Sequence, residues 1–587
     1  MKTFENLFFL LNRQEQKKIF LLFFMILLNS IFEILGVVSI LPFITVLTNP
    51  ELIQSNLVLN SLYEFSSVFG VKNINDFIFF SGALLFIFLI SSLSFKALTY
   101  FIQLRFIHIL DYSIAKRLIK KYLSQSYGWF LNHNSAEIGK NILSEVGQVV
   151  QSSVKPFIEL LSKTVVAILL IIMLIAVDLK LTLIVSITIL SVYTIIFFSL
   201  RRFNHLNGKI RLESNNLRYQ SVNNAFSSIK EIKLKGLEDH FIKFFSNSAK
   251  NFAITQANAQ LIRLLPRFFL EAVAFGGILL VILYLMKKSG NFNNSLPLIS
   301  LYVFAGYRLI PSIQQIYSSI TQINYINSAL KKLIEDFRNL KTIAPTKKYQ
   351  KSLYPKKKIE LQNISFTYPG ENKKLINNIN FSIDANSSVG FIGPTGCGKT
   401  TIVDIILGLI QPQYGSILID GQIISKENMI SWQSSIGYVP QVIYLSDDTI
   451  LANIAFGVKA EDINQELAKE VIKILSLDKF INRLPYKYHT KVGERGAKLS
   501  GGERQLIGIA RALYLKPKVL ILDEATSALD FESEKKITDS INSLHKEITI
   551  IMIAHRLNTL SSCDKIFKFD RGNLIDQGSF SKIIGSN

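Results

Sequence analysis

Six long apolar stretches occupy the first 330 residues of the chain. An α-helix needs roughly 20 apolar residues, at about 1.5 Å each, to cross the hydrocarbon core of a bilayer. The stretches are long enough, at residues 19–46, 77–107, 157–177, 181–199, 268–286 and 297–326. The pattern predicts an all-α membrane domain with six spans over residues 1–340, and it excludes a soluble mechanical ATPase.

The pattern changes after residue 340. Residues 341–356 are basic and contain Pro345 and Pro355, which is typical of a linker. From residue 357 to 587, short apolar runs alternate with amphipathic segments. Strands alternating with helices predict an α/β domain built on a largely parallel sheet.

The connections between spans predict the orientation. Six spans place both ends of the chain on one side of the membrane. The long polar connections, residues 108–156 and the one between spans four and five, are rich in basic residues and are expected in the cytoplasm. In the first outer loop, Val58, Leu62, Phe65 and Phe69 fall on one helical face. This loop is either a helix lying in the membrane interface or a packed surface loop.

Composition supports a membrane protein. Apolar residues make up 49% of the chain and charged residues 18%, with a net charge of +22. Basic residues that flank apolar spans favour a bilayer over nucleic acid as the partner, and we expect no nucleic-acid binding. The two cysteines, Cys397 and Cys563, exclude a disulfide framework.

The first candidate for chemistry is the segment GPTGCGKT at residues 393–400, which follows the apolar strand VGFI and precedes a helical run. This is the P-loop pattern, in which glycines let backbone N–H groups surround phosphate oxygens. Lys399 would meet the β and γ phosphates, and the Thr400 hydroxyl would meet Mg²⁺. The predicted nucleotide contacts are Gly393, Pro394, Thr395, Gly396, Cys397, Gly398, Lys399, Thr400 and Thr401.

A second candidate is the apolar strand VLILDE at residues 519–524, which ends in two carboxylates. Asp523 can hold Mg²⁺ through water. Glu524 can orient and activate the water that attacks a phosphate, so it is the predicted catalytic base.

The segment LSGGERQ at residues 499–505 resembles the signature of ATP-binding-cassette (ABC) proteins, whose usual form is LSGGQ, with Glu503 at the fifth position. Further ABC motifs follow the expected order. They are Tyr368 in FTYPG, Gln441 in GYVPQ, KVGERG at 491–496, SALD at 527–530 and His555 in IAHR. The resemblance implies ATP and Mg²⁺ as cofactors.

The resemblance also implies roles for these residues. Tyr368 would stack on adenine, Gln441 would meet Mg²⁺ and sense the membrane domain, and His555 would lie near the γ-phosphate. SALD resembles the D-loop, and KVGERG the X-loop of exporters. The signature residues Ser500, Gly501, Gly502 and Glu503 would contact the nucleotide held by a second chain.

One cassette following six spans resembles a half-transporter of the type I exporter class, also called the type IV ABC fold. The working unit is then expected to be a homodimer of identical chains. Helices in the regions 108–156 and 205–255 would pass the motion of the cassettes to the membrane. ATP binding would close the two cassettes and hydrolysis would release them.

The charged residues within the spans bear on the substrate, because such charges are costly in hydrocarbon. Lys96, Arg267 and Arg308 are candidates for an anionic headgroup, and pairing with Glu33 or Glu271 is the alternative. The segments IFEILGVVSILPFIT, EIKLKG, LLPRFFLEA and GYRLIPS, with the outer-loop segment ELIQSNLVLN, are similar to the bacterial lipid-linked oligosaccharide flippases.

That similarity implies flipping of a polyprenyl-pyrophosphate-linked oligosaccharide across the inner membrane, with the cassette in the cytoplasm. At the position of Lys96, Arg is more typical of those flippases. Multidrug export and export of lipid A or another glycolipid are the alternatives. An ATP-gated channel or a regulatory subunit is disfavoured. Such proteins often carry a damaged second nucleotide site or a long regulatory insert, and neither is expected from this sequence.

Overall fold

The structure is a computed structural model of the single chain. It describes the backbone of residues 2–39, 43–44, 46–47, 57–71, 73–289, 292–341, 352–371, 373–526, 534, 538–541, 544, 547–554 and 556–584. The side chains of most residues between 270 and 300 lie outside this description. Contacts divide the chain into two compact units. One comprises residues 1–125 and 132–342, and the other comprises residues 126–131 and 343–587.

Long helices form the first unit. Within its described residues they are Arg13–Val38, Ile74–Leu123, Lys155–Val177, Leu179–Ser227, Glu238–Ser289 and Phe292–Asn339. Shorter helices are Lys2–Leu10, Leu57–Ser67, Ser135–Lys140, Val146–Val149 and Ile229–Lys235, with π-helical turns at Asn141–Glu145 and Val150–Val154. We number the six long helices in chain order as the first to the sixth. The second to sixth predicted spans each lie within one of these helices, and several of the helices extend well beyond the span. The first predicted span, residues 19–46, begins on the first helix and continues beyond its end at Val38, where residues 40–42 and 45 lie outside the described residues.

Length and apolar composition identify four membrane-crossing candidates among the described residues. They are Arg13–Gly36, Ile74–Leu123, Ser135–Val177 and Thr182–Ser227. The predicted fifth and sixth spans lie on the fifth and sixth long helices, which the structure describes only partly between residues 270 and 300.

The third and sixth helices pack through side chains four residues apart. Val166, Leu170 and Leu174 of the third helix form one buried cluster with side chains of the sixth. Its partners there are chiefly Ala305, which is fully buried, and Leu309. Side chains at this spacing form a ridge on a helix, and a ridge fits into the groove of a neighbour.

A buried ion pair joins the fourth long helix to the segment before the third. Arg211 is 1% exposed and its Nη2 lies 2.7 Å from Oε2 of Glu145, which ends a π-helical turn. Asn215 donates to the other carboxylate oxygen at 2.7 Å. Both oxygens of this carboxylate are therefore bonded, and loss of either charge would leave the other buried without its ionic partner.

The first outer loop contains the helix Leu57–Ser67. Phe69 follows it and its ring stacks on Phe80 of the second long helix, with ring centroids 5.4 Å apart. Phe65 and Leu62 are both exposed by more than 40%. The loop is thus helical, and its predicted apolar face is only partly covered by the chain.

The second unit contains two sheets. The strands are β1 Lys358–Phe366, β2 Ile376–Asp384, β3 Ser388–Ile392, β4 Tyr414–Ile419, β5 Gln422–Ile423, β6 Ile436–Val439, β7 Val519–Asp523, β8 Thr549–Ile553, β9 Lys565–Asp570 and β10 Asn573–Gly578. The order β2-β1-β4-β5 forms an antiparallel sheet. The order β10-β9-β3-β8-β7-β6 forms a six-stranded sheet in which only β10 is antiparallel.

Strands β3, β7 and β8 are buried at every residue. Continuous apolar runs of this kind are typical of parallel strands that are covered on both faces. Two separate apolar clusters contain alternating residues of β7, with Leu520 and Leu522 in one and Val519 and Ile521 in the other. The main helices of this unit are Lys399–Ile406, Met429–Gln433, Ile450–Ile454, Gln465–Ile474, Asp478–Ile481, Gly501–Tyr514 and Phe580–Ile584.

One short helix belongs to the second unit although the chain around it belongs to the first. This helix, Tyr127–Leu131, lies in the connection between the predicted second and third spans. That connection is one of the two regions expected to transmit motion.

Candidate nucleotide-binding site

The predicted nucleotide-binding residues follow parallel strands of one sheet. The P-loop follows β3, Gln441 comes two residues after β6, and Asp523 ends β7. Since β3, β8, β7 and β6 are parallel neighbours, their carboxyl ends meet at one edge of the sheet. Ligands of open α/β sheets bind at this edge.

The P-loop bends where its glycines adopt positive φ. Gly393, Gly396 and Gly398 have φ of 149°, 81° and 103°. A Cβ on Gly393 would lie 2.9 Å from the Cys397 sulfur, so the tight turn excludes larger residues there. The Lys399 ammonium, which is largely buried, donates to the carbonyl oxygens of Gly393 at 2.7 Å and Pro394 at 3.1 Å. The P-loop therefore keeps the Lys399 ammonium inside the concave backbone where the phosphates of a nucleotide would bind.

The remaining P-loop positions differ in exposure. Pro394, Thr395, Gly396 and Thr400 are exposed and can reach a ligand, whereas Cys397 is 3% exposed. The Cys397 sulfur lies 3.8 Å from the Lys399 ammonium.

Tyr368 lies beside the helix that follows the P-loop. Its hydroxyl is 3.3 Å from the Thr401 hydroxyl, and its half-buried ring meets Phe366 edge to face, with centroids 5.0 Å apart. The tyrosine predicted to stack on adenine thus lies next to the P-loop helix.

Two buried carboxylates interact near the predicted metal position. Asp404, on the P-loop helix, is 8% exposed, and Asp523 is 3% exposed. Burial and, to a smaller extent, the nearby charge of Asp523 together raise the pKa of Asp404 to about 6. A divalent cation bound by Thr400 and Asp523 would relieve this repulsion, so the donor set fits Mg²⁺. Asp404 was missed in the sequence, where an acid inside an amphipathic helix carries no signal.

Glu524 and Gln441 are in direct contact. The Gln441 amide donates to Oε2 of Glu524 at 2.7 Å. Glu524 has a φ of 51°, in the left-handed region, and its N–H donates to the Ile553 carbonyl at 3.0 Å. Such a backbone conformation is costly for a residue with a side chain, and it is common at functional sites. The predicted base and the predicted sensor are therefore one hydrogen-bonded pair.

The predicted signature residues begin a helix. Ser500 is the N-cap of the helix Gly501–Tyr514, and its hydroxyl accepts the Glu503 N–H at 3.2 Å. The Glu503 carboxylate accepts the Ser500 N–H at 2.7 Å, which completes a capping box. Glutamate at the fifth position therefore stabilises the start of this helix.

Two predicted motifs lie outside the described residues, namely SALD at 527–530 and His555. The X-loop segment is described and contains a strained residue, Arg495, with a φ of 51°.

The three predicted substrate cations differ in their surroundings. Lys96 Nζ lies 2.5 Å from Glu33 Oε1, and that carboxylate is 5% exposed. Arg267 pairs with Glu271 at 2.8 Å, with both side chains about half exposed. Arg308 is half-buried and interacts electrostatically with Glu33. The expected pair of Arg267 with Glu271 is present, whereas the ion-pair partner of Glu33 is Lys96.

Comparison with known protein families decides the identity. Residues 376–527 match the family described as ABC transporter, and residues 19–307 match the ABC transporter transmembrane region. The chain belongs to the ABC transporters. It is an exporter-type half-transporter with one membrane region followed by one ABC ATPase domain, as its sequence predicts.

Relatives and a solved structure agree with this assignment. A Rickettsia typhi protein, provisionally named an export ATP-binding/permease protein, is 34% identical over 63% of this chain. The alignment spans 64% of that relative's length. The ATP-dependent lipid A-core flippase of Ralstonia nicotianae is 27% identical over 83% of this chain and 82% of its own. A bacterial Atm1-family ABC exporter with ATP bound shares the fold, with a TM-score of 0.76, 21% identity, and coverage of 98% and 97% of the two chains.

We predict that Glu503→Ala destabilises the transporter by about 1 kcal/mol, because it removes one half of the capping box. Glu503→Gln is the matched control, since its amide oxygen can still accept the Ser500 N–H. Thermal unfolding of the nucleotide-free protein measures both. Equal unfolding temperatures for the two variants would contradict this role of Glu503.

We predict that Asp404→Asn stabilises the metal-free and nucleotide-free transporter at pH 8. The folded state raises this pKa from 3.8 to about 6, so ionisation of Asp404 lowers stability as the pH rises through that window. Above pH 6 the whole cost is present, at most about 3 kcal/mol, and it fades towards pH 4. The unfolding temperature of variant and wild type is measured at both pH values. A gain that is the same at pH 4 and pH 8 would exclude ionisation as the cause.

Proposed function

We propose that this half-transporter hydrolyses ATP to flip a glycolipid with an anionic headgroup across the inner membrane, as a homodimer. The cassette would face the cytoplasm. The substrate we favour is a polyprenyl-pyrophosphate-linked oligosaccharide. Lipid A or a related glycolipid is the second candidate, favoured by the relatives named lipid A-core flippase.

The observation that carries the headgroup proposal is a cluster of charges on the membrane helices. Glu33 forms its ion pair with Lys96 and also interacts with the charges of Lys163 and Arg308. Lys163 in turn interacts with Glu159, so the basic side chains outnumber the acidic ones. An anionic headgroup can supply the missing negative charge.

Lys163 was missed as a candidate, although it lies in the predicted third span. The signal was available, because a lysine inside an apolar span is costly unless it has a partner or a function. Arg267 is a weaker candidate than Lys163, since Glu271 already pairs with it one turn along the same helix.

An apolar pocket suits the lipid part of such a substrate. It has a volume of about 390 Å³ and lies between the first helix, the outer-loop helix and the second helix. Its walls include Leu35, Phe65, Phe77, Phe80 and Phe88. The pocket has almost no polar surface, so it would accept a hydrocarbon chain and reject a headgroup.

Hydrolysis would use the residues at the sheet edge. Lys399 and the P-loop N–H groups would hold the phosphates of ATP, while Thr400 and Asp523 would hold Mg²⁺. Glu524, with Gln441 bonded to it, would orient the attacking water. The signature of the second chain would complete each site, and two intact sites are expected in a homodimer. Magnesium itself would neutralise charge on the phosphate oxygens.

We predict that Glu524→Gln lowers ATP hydrolysis at least 100-fold while ATP still binds, because the amide cannot accept a proton from water. The measurement is phosphate release by the purified protein in lipid nanodiscs, with retention of labelled ATP as the second readout. Glu547→Gln, at an exposed acid of the same domain, is the control and should leave the rate unchanged. Brisk turnover in Glu524→Gln would remove this residue from its assigned role.

We predict that Lys163→Ala and Arg308→Ala abolish flipping of a pyrophosphate lipid while basal ATP hydrolysis survives. Each variant removes positive charge from the headgroup cluster and leaves the nucleotide site intact. Arg267→Ala is the matched control and should retain flipping, since its partner Glu271 lies outside this cluster. Unchanged flipping in both cluster variants would refute the headgroup proposal.

The substrate class is tested by stimulation of hydrolysis in nanodiscs. The panel contains polyprenyl-pyrophosphate saccharides, lipopolysaccharide precursors and hydrophobic drugs. Selective stimulation by the pyrophosphate lipids would support the favoured substrate, and stimulation by lipopolysaccharide precursors would support the second candidate. Stimulation by drugs alone would reassign the protein to multidrug export.

A further inference from the structure

Arg511 donates hydrogen bonds to three acceptors in another segment of the ABC domain. It lies in the last turn of the signature helix Gly501–Tyr514. Its Nε donates to the Asn453 carbonyl at 2.8 Å, its Nη1 to the Tyr444 carbonyl at 2.9 Å, and its Nη2 to Asn453 Oδ1 at 3.1 Å. The guanidinium also lies 4.5 Å from the ring centroid of Phe456. Only the planar fork of arginine can satisfy this arrangement.

Asn453 extends this network into the chain after Gln441. The residue is fully buried, and its Nδ2 donates to the carbonyls of Ser446 and Thr449, both at 3.0 Å. Its Oδ1 accepts the Ser446 N–H at 3.0 Å in addition to Arg511. Both amide donors and the amide oxygen are bonded, and a buried network of this kind is stable in one geometry only.

A close apolar contact joins the same two segments independently. A Cβ at Gly508, one turn before Arg511, would lie 2.5 Å from Cδ1 and 3.0 Å from Cγ1 of Ile443. The absence of a side chain at Gly508 therefore lets Ile443 pack directly on the helix. The segment from Ile443 to Ser446 is fixed to the signature helix by two different kinds of contact.

We call the contacts of Arg511 with Asn453 and Tyr444, and of Gly508 with Ile443, the joint. The joint connects the segment that contacts the hydrolysis site with the helix that carries the signature. Gln441, two residues before Ile443, donates to the predicted base Glu524. Ser500 caps the other end of the helix that carries Arg511, about 16 Å away at 1.5 Å per residue. A displacement of the Gln441 segment would therefore move the signature residues as well.

We propose that Arg511 and Asn453 are positioning residues that make the signature helix move together with the Gln441 segment. Contact of Gln441 with the hydrolysis site would then be coupled to presentation of Ser500–Gly502 to the second chain. This inference rests on the proposed ATP hydrolysis by a dimer. It predicts an effect on kcat rather than on nucleotide affinity, because none of these residues belongs to the P-loop.

The test is Arg511→Lys in the full-length protein in nanodiscs, since lysine keeps the charge and loses the fork. We expect kcat for ATP to fall at least tenfold, with KM and the Kd for ATP within twofold of wild type. The unfolding temperature should fall modestly, because buried acceptors lose their donors, and stay well above the assay temperature. Arg483→Lys, at an exposed arginine of the same domain, is the control and should match wild type.

A second variant addresses the packing contact without touching the arginine. Gly508→Ala places a methyl group against Ile443 and should lower kcat in the same way. The double variant Gly508→Ala/Ile443→Ala makes room for that methyl group and should recover most of the rate. This pair keeps the proposal testable if Arg511→Lys does not fold.

The outcomes separate the joint from the proposed function. Wild-type kcat in both Arg511→Lys and Gly508→Ala, with an active wild type, would overturn the joint and leave ATP hydrolysis standing. Equal losses of kcat, ATP affinity and unfolding temperature would also overturn it, because they indicate a purely structural role. A wild type that does not hydrolyse ATP would refute the proposed function itself.

Discussion

The parallel pairing of four strands is the constraint on which the rest of the cassette depends. Strands β3, β8, β7 and β6 run side by side, about 4.8 Å apart, and end at one edge. That edge brings the P-loop, Asp523 and the Gln441–Glu524 pair together from segments spread over residues 393 to 524. A strand shifted by one residue would turn its side chains to the opposite face of the sheet, and the residues that follow it would be displaced at this edge.

A different constraint governs the helical unit, namely the free-energy cost of burying a charged side chain away from water. Arg211 meets this cost by pairing with the Glu145 carboxylate, whose other oxygen accepts a hydrogen bond from the Asn215 amide. The cluster around Glu33 differs, because cations outnumber carboxylates among those of its side chains that the structure describes. An ion pair whose charges cancel can serve a purely structural role, whereas a cluster with surplus positive charge attracts an anion. This difference is the physical basis for proposing Lys163 and Arg308 as the residues that bind the headgroup.

Much of this architecture could be predicted from sequence, because it depends on local patterns. Span length, the strand–loop–helix context of Lys399 and the apolar strand before Asp523 each require only neighbours in the chain. Contacts that depend on the side-chain geometry between segments distant in the chain could not be predicted. The ion pair of Glu33 with Lys96, the bond from Gln441 to Glu524 and the fork of Arg511 belong to this class. The cap formed by Glu503 is an intermediate case, since its spacing from Ser500 is a known local signal.

The central claim is that each nucleotide site needs the P-loop of one chain and the signature of another. It is tested most directly with two inactive variants, Lys399→Ala and Ser500→Arg, co-expressed with different tags and purified by both tags in turn. Such heterodimers hold one intact site, formed by the P-loop of the Ser500→Arg chain and the signature of the Lys399→Ala chain. The account predicts that they hydrolyse ATP at about half the wild-type rate. A heterodimer as inactive as either variant alone would contradict it, because a site formed within one chain would be damaged in both.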